Sequence, residues 1–560
     1  MGVPYFFKWL YKNYKKKHFI FQKEKSDDTI IHNIDWFLID TNCLIHPICF
    51  KILAEEQNKP NINFKSLENK MINAVLDYIN HLIEYVNPLE GIYIAIDGPV
   101  CAAKMKQQRQ RRFRSIHDKV VFDKIKEKHN KPIGYYWNNS AISPGTKFMN
   151  KLHLKLLEWA KLQKKKIIYS SANTPGEGEH KLLDFIKNNN KQQIIKSYVT
   201  YGLDADLIFL MLITKLDNVY LLREAQQFDK NSAEHELNYV SIKIMKDSIY
   251  ESFNKYTNDL NKERIINDFI FLCYFLGNDF LPHIHSLDIS NNGIEYLITT
   301  YVKTYKQIFD YLLSSNTSQI NQEFLQLFIF NLSENEEAIL TKNLTKKYMY
   351  KSQSSDPYER EMHKIENLQF KINDPIGLGV NSDYRFNYYH HYFGVNKDEI
   401  EDFVKKLVKN YLIGIKWVTQ YYFDTNPDWL WYYPYDHPPF LSDINKYLID
   451  MNKIEFILHE SLTPLEQLLT ILPPHASYLL PNKLAKIVTN PKSSLSYLYP
   501  TDFEVDFLYK HKYFEGIPKL PPFEIDAVKY IFSKYKNELD NNTLHTNKLI
   551  DNFFFNTNKN

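Results

Sequence analysis

Three short apolar runs in this chain end on an acid and a fourth leads into a turn that carries two more, and that recurrence constrains the fold more than any other feature. Trp36-Phe37-Leu38-Ile39 runs into Asp40, Gly91-Ile92-Tyr93-Ile94-Ala95-Ile96 into Asp97, and 197–203 into Asp204-Ala205-Asp206. The fourth, Lys166-Ile167-Ile168-Tyr169-Ser170, leads into Thr174-Pro175-Gly176-Glu177-Gly178-Glu179-His180-Lys181. Short apolar runs bounded by turn residues read as buried strands. In an open α/β sheet, ligands bind in the crevice beyond the carboxyl ends of the strands. Strands that deliver acids to one edge make a carboxylate cluster, and such charges repel unless cations share the space. The pattern points to two divalent cations about 3.5–4 Å apart, clamping a phosphodiester. The glycines around Glu177 and Glu179 let the turn bend sharply and leave both carboxylates uncrowded. That suits a hard cation wanting several oxygen ligands. Alone, this turn is equally compatible with a solvated acidic loop; the recurrence argues for a site.

The apolar runs alternate with helical stretches at 66–86, 147–164 and 263–276, a βαβ rhythm. The expected fold class is α/β, with a mixed, largely parallel central sheet flanked by helices. A further strand is expected at 219–224. The turn Gly277-Asn278-Asp279-Phe280-Leu281-Pro282-His283 adds one more acid at a helix end. Residues 1–20 read as an extended start followed by an amphipathic helix whose Lys12, Lys15, Lys16 and Lys17 suit a solvated face. The expected domains are 1–350 carrying the acids, loops over 351–383, a second block over 384–535, and a frayed polar tail over 536–560. Residues 300–380 carry little pattern, with loops at 352–357 and 373–383 and a polar stretch at 315–318.

Composition narrows the classes. Apolar residues make up 44% of the 560, enough for a large buried core, and the net charge of +3 decides nothing about partners. The four cysteines Cys43, Cys49, Cys101 and Cys273 have no C-x-x-C spacing. That argues against a zinc knuckle or a disulfide framework and fits a reducing compartment. No run of about 18 apolar residues suits a membrane span, and no signal-peptide core opens the chain. Met1-Gly2 is followed at position 6 by Phe, where myristoylation wants Ser or Thr.

The stretch from Lys104 to Arg114 contains no acid. At 100° per residue, Lys104, Gln108, Arg111 and Arg112 fall within an arc of about 100° on one helix face. A charge run is usually a solvated face. Its closeness to Asp97 argues instead for a phosphate pocket, since arginine forks grip phosphate oxygens in pairs. His46 lies six residues beyond Asp40, and a lone histidine is more often structural than functional. The aromatic group Trp429-Leu430-Trp431-Tyr432-Tyr433 suits a core, or a surface on which bases stack.

Together these segments resemble the 5′-to-3′ exoribonucleases, the Xrn family. The matching stretches are Met1-Gly2-Val3-Pro4 with Phe6 to Leu10, Asp40-Thr41-Asn42, Ala95 to Gly98 with Lys104 to Ser115, Ser143-Pro144-Gly145-Thr146 and Pro175 to Lys181. They continue through Tyr201 to Leu207, Leu221 to Glu224, Phe271 to Cys273 and Gly277 to Pro282. Trp429 to Pro434, Pro464 to Leu469 and Phe503 to Asp506 match in the second block. The resemblance covers nearly the whole chain and is weakest over 300–380.

It implies a flap-nuclease-like (PIN) core with a mainly helical second block that closes the site's mouth. It also implies seven metal-site carboxylates, matched by Asp40, Asp97, Glu177, Glu179, Asp204, Asp206 and Asp279. A 5′-monophosphate pocket is matched by Lys104, Gln108, Arg111 and Arg112. His46 matches a base-stacking histidine, paired with Trp429 or Trp431. The implied activity is processive, Mg2+-dependent 5′-to-3′ degradation of single-stranded RNA with a 5′-monophosphate, using two ions, with Mn2+ as a substitute. The implied setting is decay of decapped transcripts by a monomer with no membrane attachment, in the cytoplasm or, for a viral member, in a particle or viral factory. A nuclear site and a decapping-enzyme partner stay open. The chain departs from the family at Cys101, where a proline is usual, and this puts the local turn in question. It also lacks the family's long C-terminal extensions and zinc knuckle, as a compact form would. The rival readings are a flap-type DNA nuclease and a non-catalytic RNA-binding scaffold.

Overall fold

The computed structural model describes residues 5–14, 19–21, 31, 33–56, 63–134, 137–190, 196–225, 236–258, 260–315, 319–344 and 352–555. The segment Met1 to Pro4, the lysines Lys15, Lys16 and Lys17, the stretch 316–318 and the last five residues lie outside them.

The sheet is built as the strand pattern requires. Its strands are β1 (Ile20–Phe21), β2 (Trp36–Asp40), β3 (Gly91–Ala95), β4 (Lys166–Ser170), β5 (Tyr198–Tyr201), β6 (Val219–Glu224), β7 (Leu237–Ser241) and β10 (Phe553–Phe555). A separate hairpin is formed by β8 (Val505–Asp506) and β9 (Ile517–Pro518). The order across the sheet is β1-β7-β6-β5-β2-β3-β4-β10. The stretch from β6 to β4 is parallel; β7 and β10 run against it at the margins, and β1 pairs antiparallel with β7. Asp40 stands opposite Ala95, and Ala95 opposite Ser170, so the strands end level at one edge. The loops that leave this edge carry Asp97, Glu177 and Asp204.

Alternate residues of each strand point to opposite faces. Trp36, Leu38, Tyr93 and Leu221 enter one core; Phe37, Ile39, Ile94 and Leu222 enter the other. Helices cover both faces, as a parallel sheet needs. The helices are α1 (Phe6–Tyr14), α2 (Asn42–Glu56), α3 (Phe64–Val86), α4 (Ala102–Lys128), α5 (Lys147–Lys161), α6 (Gly178–Asn189), α7 (Ala205–Ile213), α8 (Ile242–Asn254) and α9 (Lys262–Cys273). α2, α3 and α5 line one core; α1 and α6 to α9 line the other. Leu38, fully buried in the second of these, is the kind of residue whose truncation to Ala costs about 2–5 kcal/mol. No helix among the described residues is long and apolar enough to cross a membrane.

After β7 the described residues up to 344 are helical and add no strand to the sheet. Three expectations change. The stretch 300–380 is not featureless: it holds helices Gln322–Ser333, Glu336–Leu344 and Pro357–Glu366. Phe324, Phe328 and Leu332 of the first lie in the core. The stretch 536–555 is not a frayed tail. Helix Asn541–Thr546 is followed by β10, which pairs with β4. Phe553 and Phe555 pack on the core while Phe554 is exposed, the alternation of an edge strand. Asn173 Nδ2 fixes the approach by donating to Thr546 O at 2.7 Å and Lys548 O at 2.9 Å. The helix of residues 1–20 also starts earlier than expected, at Phe6, with Phe6 and Leu10 buried.

Candidate active site

The seven acids sit where strands hand over to helices. Asp40 ends β2, and Asp97 lies two residues past β3. Glu177 precedes α6 and Glu179 occupies its first turn; Asp204 and Asp206 stand likewise at α7. Two helix N-termini therefore face the cluster with positive ends, which favours negative charge there. Asp279 follows α9 through a turn in which Gly277 takes φ +84°, a conformation suited to glycine. Asp40, Glu177, Glu179, Asp206 and Asp279 are buried, Asp97 is half-buried and Asp204 is exposed.

Short hydrogen bonds fix several of them. Asp97 accepts from the Gly178 N–H at 2.6 Å and from Asn42 Nδ2 at 2.8 Å. The Cys43 thiol donates to Asp40 at 2.9 Å. Tyr421, from helix Ile400–Phe423, donates its hydroxyl to Glu177 at 2.8 Å. Gly178 is required by space: a Cβ there would lie 2.7 Å from Asp40 Oδ1. Lys104, in the first turn of α4, bonds Glu177 and reaches Asp279 at 2.6 Å, and Gln107 donates to Asp279 at 2.8 Å.

The electrostatics follow from this packing. Burial, and then Asp97, push Asp40 well above the usual carboxylate range. Burial raises Glu177 against the pull of Lys104, and burial with Asp206 raises Glu179 strongly. Asp206 rises to about 7 through burial and Asp279. For Asp279, burial is outweighed by Lys104, and the group falls well below its ordinary value. One lysine thus faces a set of carboxylates that it does not neutralise.

Three oxygens in this cluster, Asp40 Oδ1, Glu179 Oε2 and Asp206 Oδ1, are buried without a hydrogen-bond partner. Such orphans are costly in a folded protein. An all-oxygen set with unsatisfied buried carboxylates matches the chemistry of hard divalent cations. Among the described residues, however, no three acid, imidazole or thiol groups stand in place to hold one ion. The Lys104 ammonium lies between Glu177 and Asp279.

The basic face of α4 divides in two. Lys104 is bonded to the acids. Gln108, Arg111 and Arg112 continue along the helix beside His46. Arg112 donates to Ser143 Oγ at 2.7 Å, which gives the Ser143-Pro144-Gly145-Thr146 turn a role next to the arginines. Its Nε is buried with no partner, and burial and then Arg111 lower its guanidinium to about 9. Gln108 is buried and accepts a long bond from Gln467. Arg111 is exposed, and no acid bonds it among the described residues. His46 is half-buried; burial, then Arg111 and Arg112, bring its imidazole down to about 4, so the ring is neutral near pH 7.

The two tryptophans differ. Trp431 stacks on Trp417, with centroids 5.0 Å apart, and Trp417 continues to Tyr421 at 4.8 Å and on to His180, 3.9 Å from Tyr421. Trp431 is therefore part of a packed aromatic column behind Glu177. Trp429 has no ring partner among the described residues. Its carbonyl accepts from the Ala102 N–H at 2.8 Å, and its indole edge lies near Gly176. Cys101 precedes α4 with φ −65°, ψ 156°, a backbone that proline also adopts, so the turn into the basic helix is kept. Tyr421, Asn42, Cys43 and Gln107 escaped the sequence reading. Asn42 at least stands beside Asp40, whereas no local pattern marks Tyr421, which meets Glu177 only through the fold.

Comparison with known proteins gives two family matches. Residues 1–225 match the family described as XRN 5′-3′ exonuclease N-terminus; residues 259–372 and 345–560 match the Xrn1 helical domain. The chain is 29% identical over 583 residues to 5′-3′ exoribonuclease 1 of Homo sapiens, covering 93% of this chain and 33% of that protein. It is 27% identical over 737 residues to 5′-3′ exoribonuclease 2 of Debaryomyces hansenii, covering 100% and 72%. It is 26% identical over 712 residues to 5′-3′ exoribonuclease 2 of Arabidopsis thaliana, covering 99% and 69%. The chain thus spans a third of the human relative's length and about seven tenths of the other two.

Proposed function

Since this chain belongs to the XRN 5′-3′ exonuclease family, we propose that it is a 5′-to-3′ exoribonuclease that removes nucleoside 5′-monophosphates one at a time from single-stranded RNA with a 5′-monophosphate. The observation that carries this reading is one juxtaposition: orphaned carboxylate oxygens beside the strand ends and, on the adjoining helix, arginine groups that no acid bonds among the described residues.

Asp40, Asp97, Glu177, Glu179, Asp204, Asp206 and Asp279 are the residues that would hold two Mg2+ ions, or Mn2+ in their place. When bound, the ions supply Lewis acidity toward the scissile phosphate. The chain's own side chains do the rest. Arg111 and Arg112 grip the terminal phosphate, with Gln108 beside them. With the terminal phosphate held there, the next phosphodiester falls toward Lys104 and the acids. His46, neutral at physiological pH, and Trp429, which stacks on no other ring among the described residues, stack on the first bases. Asn42 holds Asp97, Cys43 holds Asp40 and Tyr421 holds Glu177, so each carboxylate is oriented before substrate arrives. Lys104 offsets part of the acid charge and keeps the cluster closed.

The grip is built for one phosphate, so a cap or triphosphate would push the scissile bond out of register. The natural substrate is then a decapped transcript. The cysteines, all free in the described chain, fit an enzyme of the cytoplasm. Incubating 5′-labelled RNA and its DNA equivalent with and without EDTA tests the reading. Release of labelled mononucleotide from RNA alone, abolished by EDTA, is expected. Preference for DNA would favour a flap-type nuclease, and binding without cleavage would leave an RNA-binding scaffold.

A further inference from the structure

A cavity of about 450 Å3 opens beside the acids on the neighbouring face of α4. At 100° per residue, Gln107, Gln110 and Arg114 point to a different side of the helix from Lys104, Gln108 and Arg112, with Arg111 on the boundary. Gln107, Gln110, Arg111 and Arg114 line this cavity, as does Asp279; His46, Arg112 and Trp429 do not. The cavity therefore adjoins the candidate metal site without belonging to the place where the first bases stack.

Its walls are of two kinds. Leu281, Pro282, Ile289 and Pro438 form an apolar side, which Tyr509 and Phe514 extend with rings. The other side is charged, and its acids are engaged. Asp279 is bonded by Lys104 and Gln107, Asp288 by His511 and Ser290, Asp436 by Lys106 and Gln110, and Glu515 by Tyr5. Arg114 is engaged too, by Asp118 and by the carbonyls of Tyr513 and Gly516. Two lining cations remain that no acid bonds among the described residues, Arg111 and the half-buried Lys510. A second cavity, of about 750 Å3, shares Tyr5, Ile289, Lys510 and His511 with the first and adds Lys8, Lys12, Lys371 and Lys512.

Small-molecule sites commonly enclose about 300–1,000 Å3, with apolar walls and a few placed polar groups. Lys510, which no acid bonds among the described residues, stands opposite apolar and aromatic walls and suits a small anion that carries a flat apolar part. A nucleoside 5′-monophosphate has that chemistry, and the exonuclease reading generates one at Asp279 in every turnover. We propose that this cavity is a second nucleotide site, distinct from the 5′-end pocket. In it the released mononucleotide binds with its phosphate on Lys510, leaving Arg111 to the terminal phosphate of the RNA, and with its base on the apolar wall, then leaves past the lysines of the outer cavity. The product is thus cleared without crossing the RNA strand, which advances on the other face of α4. The inference rests on the exonuclease reading for the source of its ligand, but not for the existence of the site.

The test is calorimetric titration of the full chain with adenosine 5′-monophosphate. It is run alone and after saturation with a 5′-monophosphorylated RNA whose first linkage is a non-hydrolysable methylenephosphonate. The nucleotide is expected to bind still when RNA fills the substrate pocket. Lys510→Gln should weaken that binding by about tenfold while RNA affinity stays within about twofold, and Lys510→Arg should restore it. Complete displacement of the nucleotide by RNA would overturn the proposal. So would a Lys510→Gln variant that loses RNA and nucleotide affinity together, because the cavity would then belong to the RNA path. Degradation of RNA with no nucleotide bound beside it removes the cavity site alone. Nucleotide bound beside RNA that is never degraded removes the exonuclease reading and leaves the site.

Discussion

Arg111 is the residue at which end recognition separates most cleanly from stability. Its side chain is exposed, and no acid bonds it among the described residues. Arg111→Ala therefore breaks no acid hydrogen bond among the described residues and removes only its longer-range field on His46, Arg112 and Asp279; exposed substitutions of that kind stay within about 0.5 kcal/mol in stability. What it removes is a charge-assisted fork for the terminal phosphate. Hydrogen bonds to charged groups contribute about 1.5–3 kcal/mol each. Water competes at an exposed site, so a loss near the low end, about 2 kcal/mol, is expected for the fork as a whole. That is roughly thirtyfold in kcat/KM for RNA with a 5′-monophosphate. RNA with a 5′-hydroxyl never engages the fork, so its slower degradation should not change. The assay is competition between RNAs identical except at the 5′ end, carrying monophosphate, hydroxyl or triphosphate, for wild type and variant, with melting curves alongside. An unchanged monophosphate-over-hydroxyl ratio in Arg111→Ala would remove Arg111 from the pocket. Equal degradation of monophosphate and triphosphate ends by the wild type would refute the pocket itself.

Three other outcomes follow from the geometry. Trp429→Ala should shorten each engagement with RNA and leave the melting curve unchanged, whereas Trp431→Ala, which breaks the stack on Trp417, should cost about 2–4 kcal/mol by denaturant titration; the reverse pattern would exchange their roles. Gly178→Ala places a methyl against Asp40 and should abolish turnover in a protein whose circular dichroism is intact; retention of more than about half the activity would show that the acids do not need this close approach. His46 has a folded pKa of about 4 against 6.5 unfolded, so the unfolded chain binds more protons between those values and stability falls as pH drops from 6.5 toward 4. Its share is at most about 3 kcal/mol. Denaturant titration of wild type and His46→Gln across that window should show a shallower slope for the variant; parallel slopes would mean that the imidazole is not held neutral by burial and the two arginines.

The strand ends were legible because two demands fall on the same residues. Trp36 to Ile39 must be apolar on both faces to lie in a covered sheet, and Asp40 must then stop the run at the edge where ligands bind. Each parallel strand repeats that arrangement, and the acids mark its end. The basic face of α4 was legible as well, since helical spacing alone groups Lys104, Gln108, Arg111 and Arg112. What spacing hides is how a face is shared out: Lys104 joins the acids, no acid among the described residues bonds Arg111, and Gln107 on the next face bonds Asp279. Contacts between distant segments left no local trace. Tyr421 reaches Glu177 across 244 positions, and nothing in Gln420-Tyr421-Tyr422 differs from an ordinary buried helix. The edge strand Phe553–Phe555 was hidden for another reason, because the polar residues around it outweigh three aromatics in any compositional window.

The central claim is that the acid cluster drives stepwise removal of nucleotides from a 5′-monophosphate end. It is tested most directly by a time course on 5′-labelled RNA in Mg2+, comparing wild type with Asp206→Asn. The substitution removes a charge and almost no volume at a buried carboxylate whose Oδ1 has no other partner. The wild type should release label as mononucleotide from the earliest sample, with no shortened labelled intermediates. Asp206→Asn should bind the RNA as tightly while turnover falls by about three orders of magnitude or more. A ladder of labelled fragments shortening from the 3′ end, or a variant that keeps more than about a tenth of wild-type turnover, would contradict it.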